Sequence, residues 1–231
     1  MRKVKNRKKS KNSFFELVFL FLRIAVYLFY LKGFPDYQSV PYINDKVSET
    51  IKESNCMIHQ YTRSPGHLRL VNGIATCYGK LMKREINPLN EILITTGAYG
   101  SLFNAIASFI ESGDEVIIIE PFYDCYAPLS KVAGAKCVFV PLKPKVNLTD
   151  GPTSSADWSW DLKELEAAFT SKTKLIIINT PNNPLGKIYT KEELQTIANL
   201  CIKNNTICIS DEVYEHITYD RPHLRIGITQ K

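Results

Sequence analysis

Ile207-Cys208-Ile209-Ser210-Asp211-Glu212-Val213-Tyr214 is a short apolar run that ends abruptly in two carboxylates and a tyrosine. Its apolar half is typical of a buried parallel strand, and Asp211 follows where that strand should end. An acid at this end of a parallel strand faces the crevice in which open α/β sheets bind ligands. Asp211 can therefore hold a positive charge on a ligand, or it can cap a following helix, and the octet alone leaves both interpretations open.

The composition is that of an ordinary globular protein, with 231 residues of which 45% are hydrophobic. A chain of this size can bury a full core, and its length predicts one large domain with or without an extra segment. The net charge of +6 is more than accounted for by residues 1–11, which contain seven Lys and Arg and no acid. Because the rest of the chain is close to neutral, we expect no nucleic-acid partner.

The first 32 residues differ from everything that follows. A basic tract leads into Phe14 to Leu31, a mostly apolar run that Glu16 and Arg23 interrupt. The pattern is typical of a signal peptide or signal anchor, although no small-residue cleavage site follows it. The two charges and the short length argue against a membrane-spanning helix. Membrane targeting and an aberrant terminus on a soluble domain both remain open.

Six cysteines are spread along the chain, with no C-x-x-C pair and no histidine at a metal-ligand spacing. This pattern predicts reduced, buried thiols rather than a disulfide framework or a zinc site, and we expect no metal centre. The cysteines are Cys56, Cys77, Cys125, Cys137, Cys201 and Cys208.

From Gly33 onward, short apolar runs alternate with helical patterns, which predicts a parallel sheet with right-handed crossovers. Predicted strands cover 91–95, 115–120, 139–142, 175–178 and the run from 207. Predicted helices cover 47–54, 68–83, 102–110 and 162–169, the last with Leu162, Leu165 and Phe169 facing inward. A further helix opens at a Thr190–Glu193 capping box and carries Leu194, Ile197, Ala198 and Cys201 on one face. Residues 143–160 are expected to form a surface loop, and His67 a loop or cap residue.

The turn Thr96 to Ser101 lies between a predicted strand and a predicted helix. A helix that starts there directs free backbone N–H groups at one point, which suits a phosphate group. The turn matches neither the G-x-G-x-x-G dinucleotide fingerprint nor the lysine-bearing P-loop, so nucleotide cofactors are disfavoured.

Two other segments follow predicted strands. The aromatic run Pro121 to Tyr126 can stack on a flat cofactor or simply pack in the core. The turn Asn179 to Gly186 is stiffened by two prolines, and its asparagines can donate and accept hydrogen bonds in a cleft or serve a plain loop. In a parallel sheet, one edge would collect Tyr99, Tyr123, Asn183 and Asp211.

Six motifs in order along the chain resemble one family, the class I aminotransferases of pyridoxal-phosphate fold type I. In particular they are similar to the kynurenine aminotransferases, also called cysteine-conjugate beta-lyases and glutamine transaminases. The resemblance covers roughly residues 33 to 224. The motifs are Gly33-Phe34-Pro35-Asp36, Gln60-Tyr61-Thr62-Arg63, Gly97-Ala98-Tyr99-Gly100-Ser101-Leu102, Pro121-Phe122-Tyr123-Asp124-Cys125-Tyr126, Asn179 to Gly186 and Ser210 to Glu215.

The resemblance implies a three-layer α/β sandwich with a mostly parallel sheet, which is the large domain of these transferases, over residues 33–231. It implies pyridoxal 5'-phosphate as the cofactor and amino acids and 2-oxo acids as substrates. The implied reaction is transamination of amino acids such as kynurenine or glutamine, with a cysteine-conjugate β-lyase side activity. It also implies a homodimer with shared sites, in the cytoplasm or the mitochondria.

Several site residues are implied by the same resemblance for the cofactor ring. Asp211 matches the acid that pairs with the pyridinium nitrogen. Asn183 and Tyr214 match the donors to the ring hydroxyl oxygen. Tyr123 matches the aromatic residue that stacks on the ring.

The remaining implied residues serve the phosphate, the substrate and the partner subunit. Ala98 and Tyr99 match the helix-start backbone that holds the phosphate. Gly33 and Asn183 match positions that meet the substrate carboxylate. Tyr61 matches a residue that reaches the cofactor of the neighbouring subunit.

The chain also departs from the family pattern. Lys32 replaces the glutamine usual before Gly33. The family's Schiff-base lysine lies in a serine-rich motif beyond Tyr214, where this sequence has only Lys231 in a different context. The arginine of the small carboxyl-terminal domain, which pairs with the substrate carboxylate, is absent with it. We therefore expect a truncated chain without a catalytic lysine, which binds the cofactor weakly and turns over little or nothing. The alternative is a non-catalytic chain that pairs with a complete subunit and lends it Tyr61.

Overall fold

A computed structural model describes residues 37–228 of the chain. The predictions for residues 1–32 and for Gly33 lie outside the described residues. The chain divides into two compact units, Met1–Tyr61 and Thr62–Lys231. No helix between residues 37 and 228 is both long enough and apolar enough to cross a membrane.

The first unit contains helix α1 (Pro41–Lys52) and a 3-10 turn at Cys56–His59. The sequence predicted this helix over 47–54, so it begins earlier than expected. Pro41 occupies the first helical position, where its missing N–H is not needed for a helical hydrogen bond. The Asn55 side chain accepts a hydrogen bond from the N–H of Met57 and opens the 3-10 turn.

The second unit is built on a sheet of four parallel strands in the order β2-β1-β5-β6. A separate antiparallel pair, β3 and β4, lies in the segment predicted to be a loop. The parallel sheet confirms the expectation drawn from alternating apolar runs and helices. The strands are β1 (Glu115–Glu120), β2 (Lys136–Pro141), β3 (Lys143–Pro144), β4 (Trp158–Ser159), β5 (Thr173–Asn179) and β6 (Ile207–Asp211).

Five helices of the second unit connect or flank these strands. The capping box at Thr190 and Glu193 is formed in both directions and opens the last helix, as predicted. His67 accepts a hydrogen bond from the N–H of Arg69 and so acts as the predicted cap. The helices are α2 (Leu68–Met82), α3 (Gly97–Phe109), α4 (Tyr126–Val132), α5 (Leu162–Ala167) and α6 (Lys191–Lys203). Short 3-10 turns lie at Leu148–Asp150, Ser155–Asp157 and Ile226–Ile228.

The core has two halves, one on each face of the sheet. On one face, Ile117 and Ile176 pack with the buried side chains of α5 and α6. On the other face, Val116 and Ile177 pack with residues of α3 and α4. Strands covered on both faces need continuous apolar side chains, which explains the unbroken isoleucine runs in β1 and β5. The three-layer α/β arrangement predicted from the family resemblance is confirmed.

One predicted strand is absent. Residues 91–95 run without strand pairing, and the N–H of Ile94 instead donates to the carbonyl oxygen of Pro65 at 2.9 Å. Leu93 is exposed. A β-branched run becomes a strand only when a neighbouring strand takes its backbone groups, and no such neighbour lies among residues 37–228.

Three further expectations needed correction. Helix α3 begins at Gly97 rather than at 102, so Ala98 and Tyr99 lie in its first turn. Leu162 is exposed at the start of α5, while Leu165 is buried as predicted. Strand β6 is only half-buried along its length, because it is the edge strand of the described sheet.

Helix α6 offers a matched test of the core. Ile197 is fully buried in α6, whereas Ile202 in the same helix is 63% exposed. We expect Ile197→Ala to lower the free energy of unfolding by about 3 kcal/mol, because it removes buried methylenes and leaves a cavity. Ile202→Ala should lower it by less than about 1 kcal/mol. Urea denaturation followed by circular dichroism measures both values, and equal losses would contradict this description of the core.

Candidate cofactor site

Hydrogen bonds connect the carboxyl ends of β5 and β6. Asn179 and Asp211, the last residues of these strands, lie opposite each other in the register. The Asn179 side-chain amide donates to the Asp211 carbonyl oxygen at 2.9 Å, and the Thr180 N–H donates to the same oxygen at 3.0 Å. The backbone that carries Asp211 is therefore fixed by the turn that follows β5.

The Asp211 carboxylate accepts two hydrogen bonds from protein groups. The Tyr126 hydroxyl, 85 positions earlier in the chain, donates to Oδ2 at 2.7 Å. The Val213 N–H donates to Oδ1 at 3.2 Å. A turn over residues 213–216 follows the strand instead of a helix, so the helix-cap interpretation of Asp211 is wrong.

Tyr126 is a buried donor. Its side chain is 2% exposed, and burial, followed by the hydrogen bond to Asp211, raises the pKa of its hydroxyl well above the ordinary tyrosine value. The hydroxyl therefore stays protonated, and its proton is directed at the carboxylate. Tyr126 thus fixes the orientation of the Asp211 carboxylate. The carboxylate oxygens retain further lone pairs that can accept a hydrogen bond from a ligand.

Asp211 lines an open cleft of about 470 Å³ between β6, α2 and α3. This volume lies within the roughly 300–1,000 Å³ range of small-molecule and cofactor sites. The wall opposite Asp211 is formed by the start of α3, where Ala98 and Ser101 line the same cleft. The predicted acid and one of the predicted phosphate-binding residues thus share one cavity.

The start of α3 has the geometry of an anion site. Gly97 adopts a left-handed backbone with φ of +69°, which a glycine accepts without strain. The side chain of Thr96, at the N-cap, makes no capping hydrogen bond. The hydroxyl of the preceding residue, Thr95, forms a hydrogen bond with the Ser101 hydroxyl at 2.6 Å. The first-turn N–H groups of α3 are left without a capping side chain, at the positive end of the helix dipole.

The predicted ring-contacting residues also come together. Asn183 donates from its side-chain amide to the Tyr214 hydroxyl at 3.3 Å. Tyr123 is 39% exposed, and its ring meets the Tyr126 ring edge-on at 6.0 Å between centroids. Burial, with smaller contributions from neighbours that include Tyr214 and Tyr99, raises the pKa of Tyr123. The aromatic run after β1 is therefore divided between the core and the surface, since Tyr126 is buried and Tyr123 is accessible.

The structure does not test the roles of two predicted site residues, Gly33 and Tyr61. Gly33 lies outside the described residues. Tyr61 is the last residue of the first unit, and its side chain is fully exposed.

Sequence reasoning missed two residues that position the site. Tyr126 was grouped with the other aromatic residues and received no role of its own. Asn179 was treated as part of a turn, yet its side chain also accepts the N–H of Asn183 at 2.6 Å. The available signal was their place in the sequence, because both stand within or just after the apolar strands β1 and β5, at the edge that carries the site.

A network of charged side chains lies directly after Asp211. Glu212 accepts from the Ser210 hydroxyl at 2.8 Å and pairs with His223 at 2.8 Å. Glu215 contacts both the Arg225 guanidinium and the Tyr78 hydroxyl. This network attaches the end of the described chain and helix α2 to the segment that carries Asp211 and Tyr214.

The same network places possible metal ligands close together. One donor atom each from Glu212, Glu215 and His223 lie within 4.8 Å of one another. Arg225 already places a cation against both carboxylates, with its Nε 3.4 Å from Glu212. Glu212, Glu215 and Arg225 thus form an internal ion-pair network in which one arginine compensates part of the charge of two acids.

Comparisons with known proteins identify the family of the chain. Residues 33–229 match the family model for aminotransferase class I and II. Mouse (Mus musculus) kynurenine–oxoglutarate transaminase 3 is 51% identical over 198 residues, which are 85% of this chain and 43% of that protein. Human (Homo sapiens) kynurenine–oxoglutarate transaminase 1 is 43% identical over 197 residues, 85% of this chain and 46% of that protein.

Solved structures show the same fold. The crystal structure of Bna3p from Saccharomyces cerevisiae superposes with a TM-score of 0.80 at 36% identity, over 86% of this chain and 46% of that one. Aspartate aminotransferase from Thermotoga maritima gives a TM-score of 0.76 at 28% identity, over 92% of this chain and 55% of that one. The chain spans less than half the length of the curated relatives named above. The chain belongs to the class I and II aminotransferases, a family whose cofactor is pyridoxal phosphate.

Proposed function

We propose that residues 33–228 supply the cofactor-ring half of a pyridoxal-phosphate transaminase that acts on amino acids such as kynurenine or glutamine, with a 2-oxo acid as amino acceptor. The observation that carries the proposal is the Asp211 carboxylate, held by Tyr126 at 2.7 Å in a cleft that also contains the start of α3. The two kynurenine–oxoglutarate transaminases compared above support this substrate class.

The residues present fit the cofactor. Pyridoxal phosphate, when bound, supplies an electron sink that works best while its ring nitrogen is protonated. Asp211 would hold that positive charge, since a carboxylate favours the charged form of a neighbouring cation. Tyr126 keeps the carboxylate turned toward the cleft, and its raised pKa keeps it a hydrogen-bond donor.

Other residues would hold the phosphate and the ring oxygen of the cofactor. The backbone N–H groups of Ala98 and Tyr99 would bind the phosphate, because a helix start favours an anion. Tyr214, positioned by the Asn183 amide, would donate to the ring oxygen. Tyr123 offers an accessible aromatic ring beside the same site.

The substrate and the partner subunit follow from the family assignment. Gly33 and Asn183 would meet the substrate carboxylate, and a β-lyase side activity on cysteine conjugates belongs to the same proposal. The fully exposed Tyr61 suits a homodimer in which this ring reaches the neighbouring subunit. A protein made of these 231 residues would hold the cofactor without turnover, because none of its lysines stands in a serine-rich motif beyond Tyr214.

Replacing Asp211 tests the central assignment. Asp211→Asn keeps the shape and removes the charge, so we expect the affinity of the 231-residue chain for pyridoxal phosphate to fall roughly tenfold, about 1.4 kcal/mol. Asp220→Asn is the matched control, because Asp220 is exposed and lies outside the cleft. Cofactor absorbance and quenching of tryptophan fluorescence measure the dissociation constants.

Equal dissociation constants for the two asparagine variants would contradict the role of Asp211. If the unaltered chain retains no pyridoxal phosphate at all, the non-catalytic alternative replaces this proposal. That alternative is a chain that pairs with a complete subunit and lends it Tyr61.

Tyr126→Phe separates the positioning role from the charge. The change removes only the hydroxyl that donates to Asp211, so we expect an unfolding free energy lower by about 1–2 kcal/mol and a weaker affinity for pyridoxal phosphate. Tyr219→Phe is the control, since Tyr219 is 89% exposed. Urea denaturation and cofactor titration measure the two effects. If the two variants have the same free energy of unfolding and the same affinity for pyridoxal phosphate, the Asp211 carboxylate needs no buried donor.

A further inference from the structure

Cys201 and Cys208 lie near each other where β6 begins, at the end of the sheet away from the cofactor site. Cys201 lies in the last turn of α6, and Cys208 is the second residue of β6. The turn between them is closed by the Thr206 N–H, which donates to the Cys201 carbonyl oxygen at 2.9 Å. The side chain of Cys208 packs against the core cluster to which Cys201 belongs.

The two side chains lie close together, since Cys208 packs against the cluster that contains Cys201 and both line one cleft. The interaction with Cys208 lowers the pKa of Cys201, against the opposing effect of burial. The interaction with Cys201, together with burial, raises the pKa of Cys208. Cys201 is therefore the sulfur better suited to carry a negative charge, and Cys208 is the neighbour that still holds its proton.

Solvent reaches this pair through a surface cleft of about 460 Å³, which both cysteines line together with residues 202 and 205–207. The cleft lies where β6 begins, whereas Asp211 lies where β6 ends. The other cysteines have different surroundings. Cys56 and Cys77 are exposed, and the Cys137 thiol donates to the Ala127 carbonyl oxygen at 3.7 Å.

We propose that Cys201 and Cys208 form a disulfide when the folded protein meets a hydroperoxide. The Cys201 thiolate attacks the outer peroxide oxygen, the O–O bond breaks, and the leaving alkoxide or hydroxide takes up a proton. The Cys208 sulfur then attacks the resulting sulfenic sulfur, the S–O bond breaks, and water leaves with the Cys208 proton. The two sulfurs are oxidised by two electrons in total, and the peroxide is reduced by the same two.

The sequence makes the product easy to identify. Trypsin cleaves after Lys203, so Cys201 and Cys208 fall in the separate peptides 192–203 and 204–225. Each of the six cysteines lies in a tryptic peptide of its own. A disulfide between Cys201 and Cys208 would therefore join 192–203 to 204–225, with a mass two hydrogens below the sum of the two peptides.

The experiment treats the folded 231-residue chain with tert-butyl hydroperoxide, blocks the remaining thiols with N-ethylmaleimide, and maps the peptides by mass spectrometry without reduction. We expect the 192–203/204–225 pair to be the dominant linked product and to disappear on reduction. Cys137→Ala should leave its yield unchanged, whereas Cys208→Ala should abolish it and leave sulfenic acid on Cys201. Peroxide treatment in guanidinium chloride should give mixed pairings, because the link depends on the fold.

Two results would overturn the proposal. One is oxidation confined to the exposed Cys56 and Cys77 while peptides 192–203 and 204–225 carry the blocking group. The other is a linked pair that forms as readily in the unfolded chain as in the folded one. Both readouts come from the unaltered chain and need no cofactor, so they stand apart from the success or failure of the proposed function.

Discussion

The hydrogen bond from Tyr126 to Asp211 joins two parts of the chain that are 85 positions apart. It can form only because β1 and β6 belong to one parallel sheet, with their carboxyl ends at the same edge. The helix after β1 then presents Tyr126 to the acid that ends β6. A buried hydroxyl left without this acceptor would cost free energy, so the fold and the orientation of the carboxylate support each other.

A second set of polar contacts holds the segment after Asp211. Arg225 joins Glu212 and Glu215, and Tyr78 adds a contact from α2. Breaking such a network by removing one partner leaves a charge without compensation, which costs more than the intact network contributes. The segment that carries Tyr214 is thus held in place by ion pairs, while Asp211 is held by the sheet and by Tyr126.

The sequence predicted the parts of the fold that depend on local patterns. The structure contains the strands predicted from the isoleucine runs of β1 and β5. It also contains the capping box predicted at the start of α6. Residues 91–95 have the same strand-like composition but no neighbouring strand within the described residues, so their pattern could not decide their structure. Strand formation is a pairing event, and a single run of residues does not contain that information.

Some site residues could likewise be predicted from local motifs, whereas the roles of others depend on the fold. Asp211, Asn183, Tyr214 and Ala98 could be named from motifs, because their positions follow strands or open a helix. Tyr126 and Asn179 could not be given their roles, since each acts through another residue and the distance between the partners is set by the sheet. The contact between Cys201 and Cys208 was likewise invisible in the sequence, where their spacing matches no motif.

The central claim is that Asp211 keeps the ring nitrogen of bound pyridoxal phosphate positively charged. Nuclear magnetic resonance of the cofactor labelled with 15N at that nitrogen reports its protonation state directly. The account predicts a protonated nitrogen in the unaltered chain under mildly alkaline conditions and a neutral one in the Asp211→Asn protein. A neutral nitrogen in the unaltered chain, or the same signal in both proteins, would contradict it.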